Sequence, residues 1–178
     1  MNESIRDGSI SQFENRFLET YREAASMAAH WRGLGETVVL TQGSWDLFHI
    51  GHARYLERAA THGSVLFVGV DSDAKIRKRK GQNRPKVPQS ERIELLAHIR
   101  SVDHIVLKGI DEERYLLTKA INPHILIGVE GTYELEQIKE LSEFCGKVII
   151  LPRQAETSTS AKIRELTIKR GETDHEKT

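Results

Sequence analysis

Cysteine is almost missing: Cys145 stands alone among 178 residues, so no internal disulfide can form. That usage suits a reducing compartment, and the thiol reads as a small core residue. Excess charge is missing as well. Lys and Arg together number 26, as do Asp and Glu, which leaves no bulk field for a polyanion and argues against a general nucleic-acid partner. No stretch approaches the roughly 18 apolar residues of a membrane span, and Met1-Asn2-Glu3-Ser4-Ile5-Arg6-Asp7 is too polar for a secretory signal. The expectation is a cytoplasmic protein that touches neither membrane nor nucleic acid. No internal repeat is visible.

The length bounds the chain to one domain with short appendages. Residues 1–35 read as a helical extension. Ser11 and Glu14 have capping-box spacing, Phe13, Phe17, Tyr21, Ala24, Ala25 and Ala28 form an apolar stripe, and Gly33 and Gly35 close the helix. Such a stripe needs cover, either from the domain or from a second subunit, and a homodimer is expected. Residues 36–168 form the domain proper, and residues 169–178 are an apolar-free tail expected to fray.

Inside the domain, short β-rich runs at 38–41, 65–70, 104–107, 125–127 and 148–151 alternate with helical segments near 53–61, 88–100, 112–121 and 134–144. Alternation of this kind implies an α/β fold, a Rossmann-like open parallel sheet of five strands with helices on both faces. Ligands then bind beyond the C-terminal ends of the strands.

The first run delivers Gly43-Ser44-Trp45-Asp46-Leu47-Phe48-His49-Ile50-Gly51-His52 to that edge, where a strand turns into a helix. His49 and His52, three apart, can share one helix face, while Gly51 and the unpaired N–H groups of the helix start suit a phosphate. A metal pair or two unrelated surface histidines is the plainer reading of an isolated H-x-x-H. The context of Gly43 and Asp46 turns the preference, and no cysteine or carboxylate at ligand spacing supports zinc.

A second cluster, Asp71 and Asp73 followed by a basic run to Arg84, leaves the second strand. Such runs are usually solvated loops, but this one can reach over the same cleft, with Lys80, Arg84 and, further on, Arg92 as candidate phosphate cations. A third cluster, Ser158, Thr159 and Ser160 with Arg164 one turn later, opens the last helix. Hydroxyls there are ordinary caps, and they also make an anion cradle.

Together these residues resemble the G-x-F-D-x-x-H-x-G-H signature of the HIGH-type nucleotidyltransferases, in their cytidylyltransferase-like group. The likeness runs in order through Asp71-Ser72-Asp73, Lys80-Gly81, Arg84-Pro85, Glu91-Arg92, Val102-Asp103 and Ser158-Thr159-Ser160, about residues 37–166. Within the group it is most similar to the adenylyltransferase domain of ADP-heptose synthesis and to glycerol-3-phosphate cytidylyltransferase.

The resemblance implies transfer of a nucleoside monophosphate from an NTP, with ATP favoured over CTP, to a sugar phosphate or polyol phosphate. Pyrophosphate is released, and Mg²⁺ is held by the triphosphate rather than by the protein. It implies His49, His52 and Lys80 as catalytic groups. Gly43, Ser44, Trp45, Gly51, Gly128, Val129, Glu130, Ser158, Thr159, Ser160 and Arg164 would contact the nucleotide, and Asp46, Asp71, Asp73, Arg84 and Arg92 the acceptor. Trp45 replaces the signature Phe. Ile127-Gly128-Val129-Glu130-Gly131-Thr132-Tyr133 departs from the Lys-Gly-Gly-Asp-Tyr of heptose-type enzymes; Val129 and Glu130 either contact base or ribose, or merely end a strand and cap the next helix. A nucleotide-binding module without catalysis, or a flavodoxin-like scaffold whose first helix recruits a partner, are the other classes to weigh.

Overall fold

The computed structural model describes residues 15–110 and 112–154. The Ser11–Glu14 box, Phe13, the hydroxyl cluster with Arg164 and the tail lie outside the described residues.

Six parallel strands form one sheet: β1 (Phe17–Leu18), β2 (Val38–Gly43), β3 (Val65–Asp71), β4 (His104–Lys108), β5 (Ile125–Val129) and β6 (Lys147–Leu151), in the order β1-β4-β3-β2-β5-β6. The described helices are α1 (Tyr21–Gly33), α2 (Ile50–Ala60), α3 (Asp73–Lys80), α4 (Gln89–Ala97), α5 (Leu116–Ile121) and α6 (Leu135–Leu141). The strand period divides the core into two layers. Val39, Leu66 and Ile127 face one way, toward Tyr55 and Leu56 of α2 and Leu96 of α4. Val38, Leu40, Phe67 and Leu126 face the other, toward Ala24 and Ala28 of α1, Leu117 of α5 and Leu141 of α6. Such strands, buried on both faces, read as continuous apolar runs, which is why the sequence betrays them.

Three expectations need correction. The sheet has six strands rather than five, because Phe17 and Leu18 pair with Ile105 and Val106 at its edge. Phe17 therefore leaves the supposed N-terminal stripe. Helix α1 starts later, capped by Thr20 in a box with Glu23: the Thr20 hydroxyl accepts from the Glu23 N–H at 3.1 Å. Its Ala24 and Ala28 are spent on the chain's own sheet and α5, so the stripe no longer calls for a second subunit. Finally, the basic run after β3 is a helix. Ser72 caps it at the Lys75 N–H, and Ile76 is its one buried residue.

Connections set the site. From β2 the chain moves to β3 and β4 on one side and returns to β5 and β6 on the other, so the direction of winding reverses between β2 and β5. At such a switch point the loops diverge and leave a crevice. Among the described residues no helix is long and apolar enough to cross a membrane.

Candidate active site

A cleft of about 510 Å³ opens over the C-terminal ends of β2 and β5. Its floor is the turn after β2. Trp45 and Leu47 hold positive φ angles of 54° and 47°, a conformation that non-glycine residues keep only when the surroundings enforce it. The enforcement is visible: the Trp45 indole N–H donates to the Gly69 carbonyl at 3.0 Å, and the ring is buried beneath His52. Gly43 lets the indole pack close, since a Cβ there would lie 3.1 Å from the ring and press on it.

His49 is the N-cap of α2 and sits in extended backbone. Its Nδ1 accepts the Gly51 N–H at 3.1 Å, and Nδ1 of His52 accepts the His49 N–H at 3.4 Å. A neutral imidazole that accepts at Nδ1 carries its proton on Nε2. Both rings, stacked 4.0 Å apart, thus become Nε2–H donors at a helix start. Tyr55, one turn on, bonds Thr41 and the Ile127 carbonyl, and burial pushes its hydroxyl up to about 12, so it stays protonated.

Cations come from α3 and the loop behind it. The Arg79 guanidinium donates to Asp71 at 2.8 Å and to the Ser44 hydroxyl oxygen at 2.8 Å, and Lys80 Nζ reaches the same oxygen at 3.2 Å. Burial, then the neighbouring Arg79 and Arg84, hold the Lys80 ammonium below its usual range. Asp46 accepts from Arg84 Nε at 2.8 Å and from the Lys86 and Val87 N–H groups. Its burial favours the acid form, but the two backbone donors and the guanidinium prevail and its pKa is lowered.

A family model described as cytidylyltransferase-like matches residues 40–166. The chain belongs to that family. It is 34% identical over 153 residues to the bifunctional protein HldE of Aliarcobacter butzleri, covering 85% of this chain and 32% of that protein. It is 40% identical over 124 residues to HldE of a Nitratiruptor species, covering 70% and 26%. The chain thus spans about a third or less of the length of these curated relatives. Among solved structures, a lipopolysaccharide core biosynthesis protein from Thermoplasma volcanium superposes with a TM-score of 0.60 at 20% identity, covering 67% of this chain and 98% of that one. Pantoate-beta-alanine ligase from Francisella tularensis gives 0.59 at 14% identity, covering 82% and 69%. At such identities these two show the shared fold.

Against the family pattern, the cleft brings together His49, His52, Gly43, Ser44, Trp45 and Gly51. It also takes in Asp46, Lys80, Arg84 and Val129. Arg92 is the clear misfit. It is 1% exposed, and its guanidinium donates to the carbonyls of Ser44, Asp71 and Val87 and pairs with Asp73 at 2.7 Å. It ties loops together rather than facing a substrate, and Asp73 is taken by it. Asp71, 2% exposed, lies between Arg79 and Lys108. Gly128 packs under the Tyr133 ring, where a Cβ would be 2.8 Å from it, while the Glu130 N–H extends the ladder to Leu151. Neither lines the cleft. Glu134, not Glu130, caps α6.

Sequence reasoning missed Arg79, Tyr55, Arg153 and Gln154, all of which line the cleft. Three of these carried a signal. Tyr55 follows His52 by three residues on the same helix face, and Arg153 and Gln154 come just after a strand at the ligand edge.

Proposed function

We propose that this chain transfers AMP from ATP to a sugar phosphate or polyol phosphate and releases pyrophosphate. Membership of the family and the likeness to HldE proteins support nucleotidyl transfer. One observation carries it furthest: two Nε2–H edges at a helix start share a cleft with Arg79, Lys80 and Arg84. Uncharged ligands have no use for so many donors.

In the reaction an oxygen of the acceptor phosphate attacks the α-phosphorus. The new P–O bond forms as the α–β bridge breaks, and the bridging oxygen leaves with the electron pair on pyrophosphate. The nucleophile is already an anion, so the chemistry needs alignment and cancelled repulsion rather than a base. His49 and His52 donate to oxygens on which charge grows, and Lys80 stabilises the same charge. The nucleoside lies over the switch point against Val129, Gly131 and Thr132. Ser158, Thr159, Ser160 and Arg164 remain proposed contacts for the β and γ phosphates.

Mg²⁺ accompanies the triphosphate and neutralises it. The carboxylates at the cleft suit this division, since Asp46 is engaged by Arg84 and Asp71 by Arg79 and Lys108. Among the described residues no three metal-ligating side chains converge. Mg²⁺ brought by the triphosphate would take phosphate oxygens and water as ligands. A reaction that consumes ATP suits the cytoplasm.

The test is pyrophosphate release from each of the four NTPs with Mg²⁺, crossed with a panel of sugar and polyol phosphates. ATP with a sugar phosphate is expected to turn over. Release with no pair, or only with acceptors that lack phosphate, removes the proposal.

A further inference from the structure

Arg79 has no counterpart among the residues singled out in the sequence. Its side chain is 54% exposed on the cleft side of α3, yet one nitrogen is already placed, donating to Asp71 and to Ser44. Asp71 is 3% exposed in its side chain and also meets Lys108 at 3.5 Å. It cannot turn away, so it acts as a fixed stop for the guanidinium.

Lys80 completes the arrangement. Its ammonium and the Arg79 guanidinium converge on one neutral oxygen, that of Ser44. Two cations on an uncharged acceptor repel each other, and the lowered pKa of Lys80 reflects that repulsion after burial. With its lone pairs engaged by these donors, the Ser44 hydroxyl has its own proton to give. Around this point Arg79 pairs with Asp71, which it shares with Lys108, and Arg84 pairs with Asp46, while Lys80 and Arg79 meet on the uncharged Ser44 oxygen. A phosphate dianion between those two cations would supply the charge that the hydroxyl lacks.

We propose that Arg79, Lys80 and the Ser44 hydroxyl seat the phosphate of the acceptor, with Arg79 setting the preference for a dianion and Asp71 positioning it. This rests on the reading of the cleft as a nucleotidyl-transfer site. The side of the cleft decides between the two phosphorylated substrates. The nucleoside takes the switch point between β2 and β5, while α3 rises from β3 on the opposite flank of the histidines. Lys80 stands between, able to bridge the two.

The test uses the full chain, Mg²⁺ and saturating α,β-methylene-ATP, which fills the nucleotide site without reacting. Inorganic phosphate is then titrated by calorimetry. The wild type is expected to bind one phosphate, and Arg79→Ala to weaken it roughly tenfold or more, the loss of a charge-assisted contact. Arg79→Lys weakens it less, and affinity for the nucleotide analogue changes less than about twofold. Asp71→Asn weakens phosphate too, but adds nothing in an Arg79→Ala background, because a positioning residue has no effect once its target is gone. Unchanged phosphate affinity in Arg79→Ala, no phosphate bound to the wild-type nucleotide complex, or equal losses of phosphate and nucleotide each overturn the proposal. Failure of the analogue to bind the wild type would instead overturn the underlying reading of the cleft.

Discussion

The bond an imidazole makes at one nitrogen decides whether the other carries the proton. In His49 and His52 the Nδ1 atoms hold the first turn of α2, and this alone fixes which edge carries the proton for substrate. The two tasks can be separated. His52→Asn places an acceptor near the Nδ1 position but nothing at Nε2, so it should keep the cap while lowering kcat by about 10²–10³, the usual loss for one preorganised donor. His52→Gln reaches toward the Nε2 position and should retain more activity with a weaker helix start. Turnover measured beside urea unfolding checks both, and an Asn variant with wild-type kcat would remove His52 from the chemistry. The pair was legible in sequence because its geometry is local: three residues, one helix start, one preceding strand.

Between elements the decisive residue is Arg92, whose place no local pattern reveals. Its guanidinium joins the loop after β2, the end of β3, the start of α3 and the approach to α4 through three carbonyls and Asp73. Removing one member of a buried ion pair costs about 3–5 kcal/mol, since the partners stay buried and unmatched. Arg92→Ala should therefore lower the unfolding free energy by about that amount in urea titration, and Arg92→Lys by less. A variant with wild-type stability and only a raised KM would restore it to the substrate. The same logic explains what else was hidden. Helix α3 is polar all round with Ile76 its one buried residue, so it offers no stripe, although the Ser72 cap marks its start. Strand β1 is two residues long, and Phe17 fits a helical stripe equally well. The Thr20–Glu23 box that starts α1 has the same spacing as Ser11 with Glu14, so spacing alone does not mark it. By contrast, β2 and β3 were plain, because both faces of the sheet demand apolar residues.

Across the whole molecule, the two ends of the sheet are set for different work. The cleft lies at the C-terminal ends, while His104 opens β4 at the other end, roughly a strand length or about 16 Å away. There Trp31 Nε1–H of α1 donates to His104 Nε2 at 2.9 Å, and the ring lies on Phe67. Burial first, then the charge of Arg16, depresses the imidazole from 6.5 to about 4. A depressed histidine stabilises the fold fully above its unfolded pKa. As pH falls from about 6.5 toward 4 the unfolded chain binds a proton that the folded one refuses, and about 3 kcal/mol is lost. Urea unfolding at pH 7.5 and 4.5 should show this loss in the wild type, and His104→Phe should show less of it, though starting lower because the indole N–H is left without its acceptor. Nucleotide binding reads the opposite end. Mg²⁺ and α,β-methylene-ATP at a hundredfold Kd should add about 2.7 kcal/mol at pH 7.5 to wild type and His104→Phe alike. Equal pH dependence in the two proteins would discharge His104 from acid stability, and unequal nucleotide stabilisation would show that the N-terminal end of the sheet reaches the cleft.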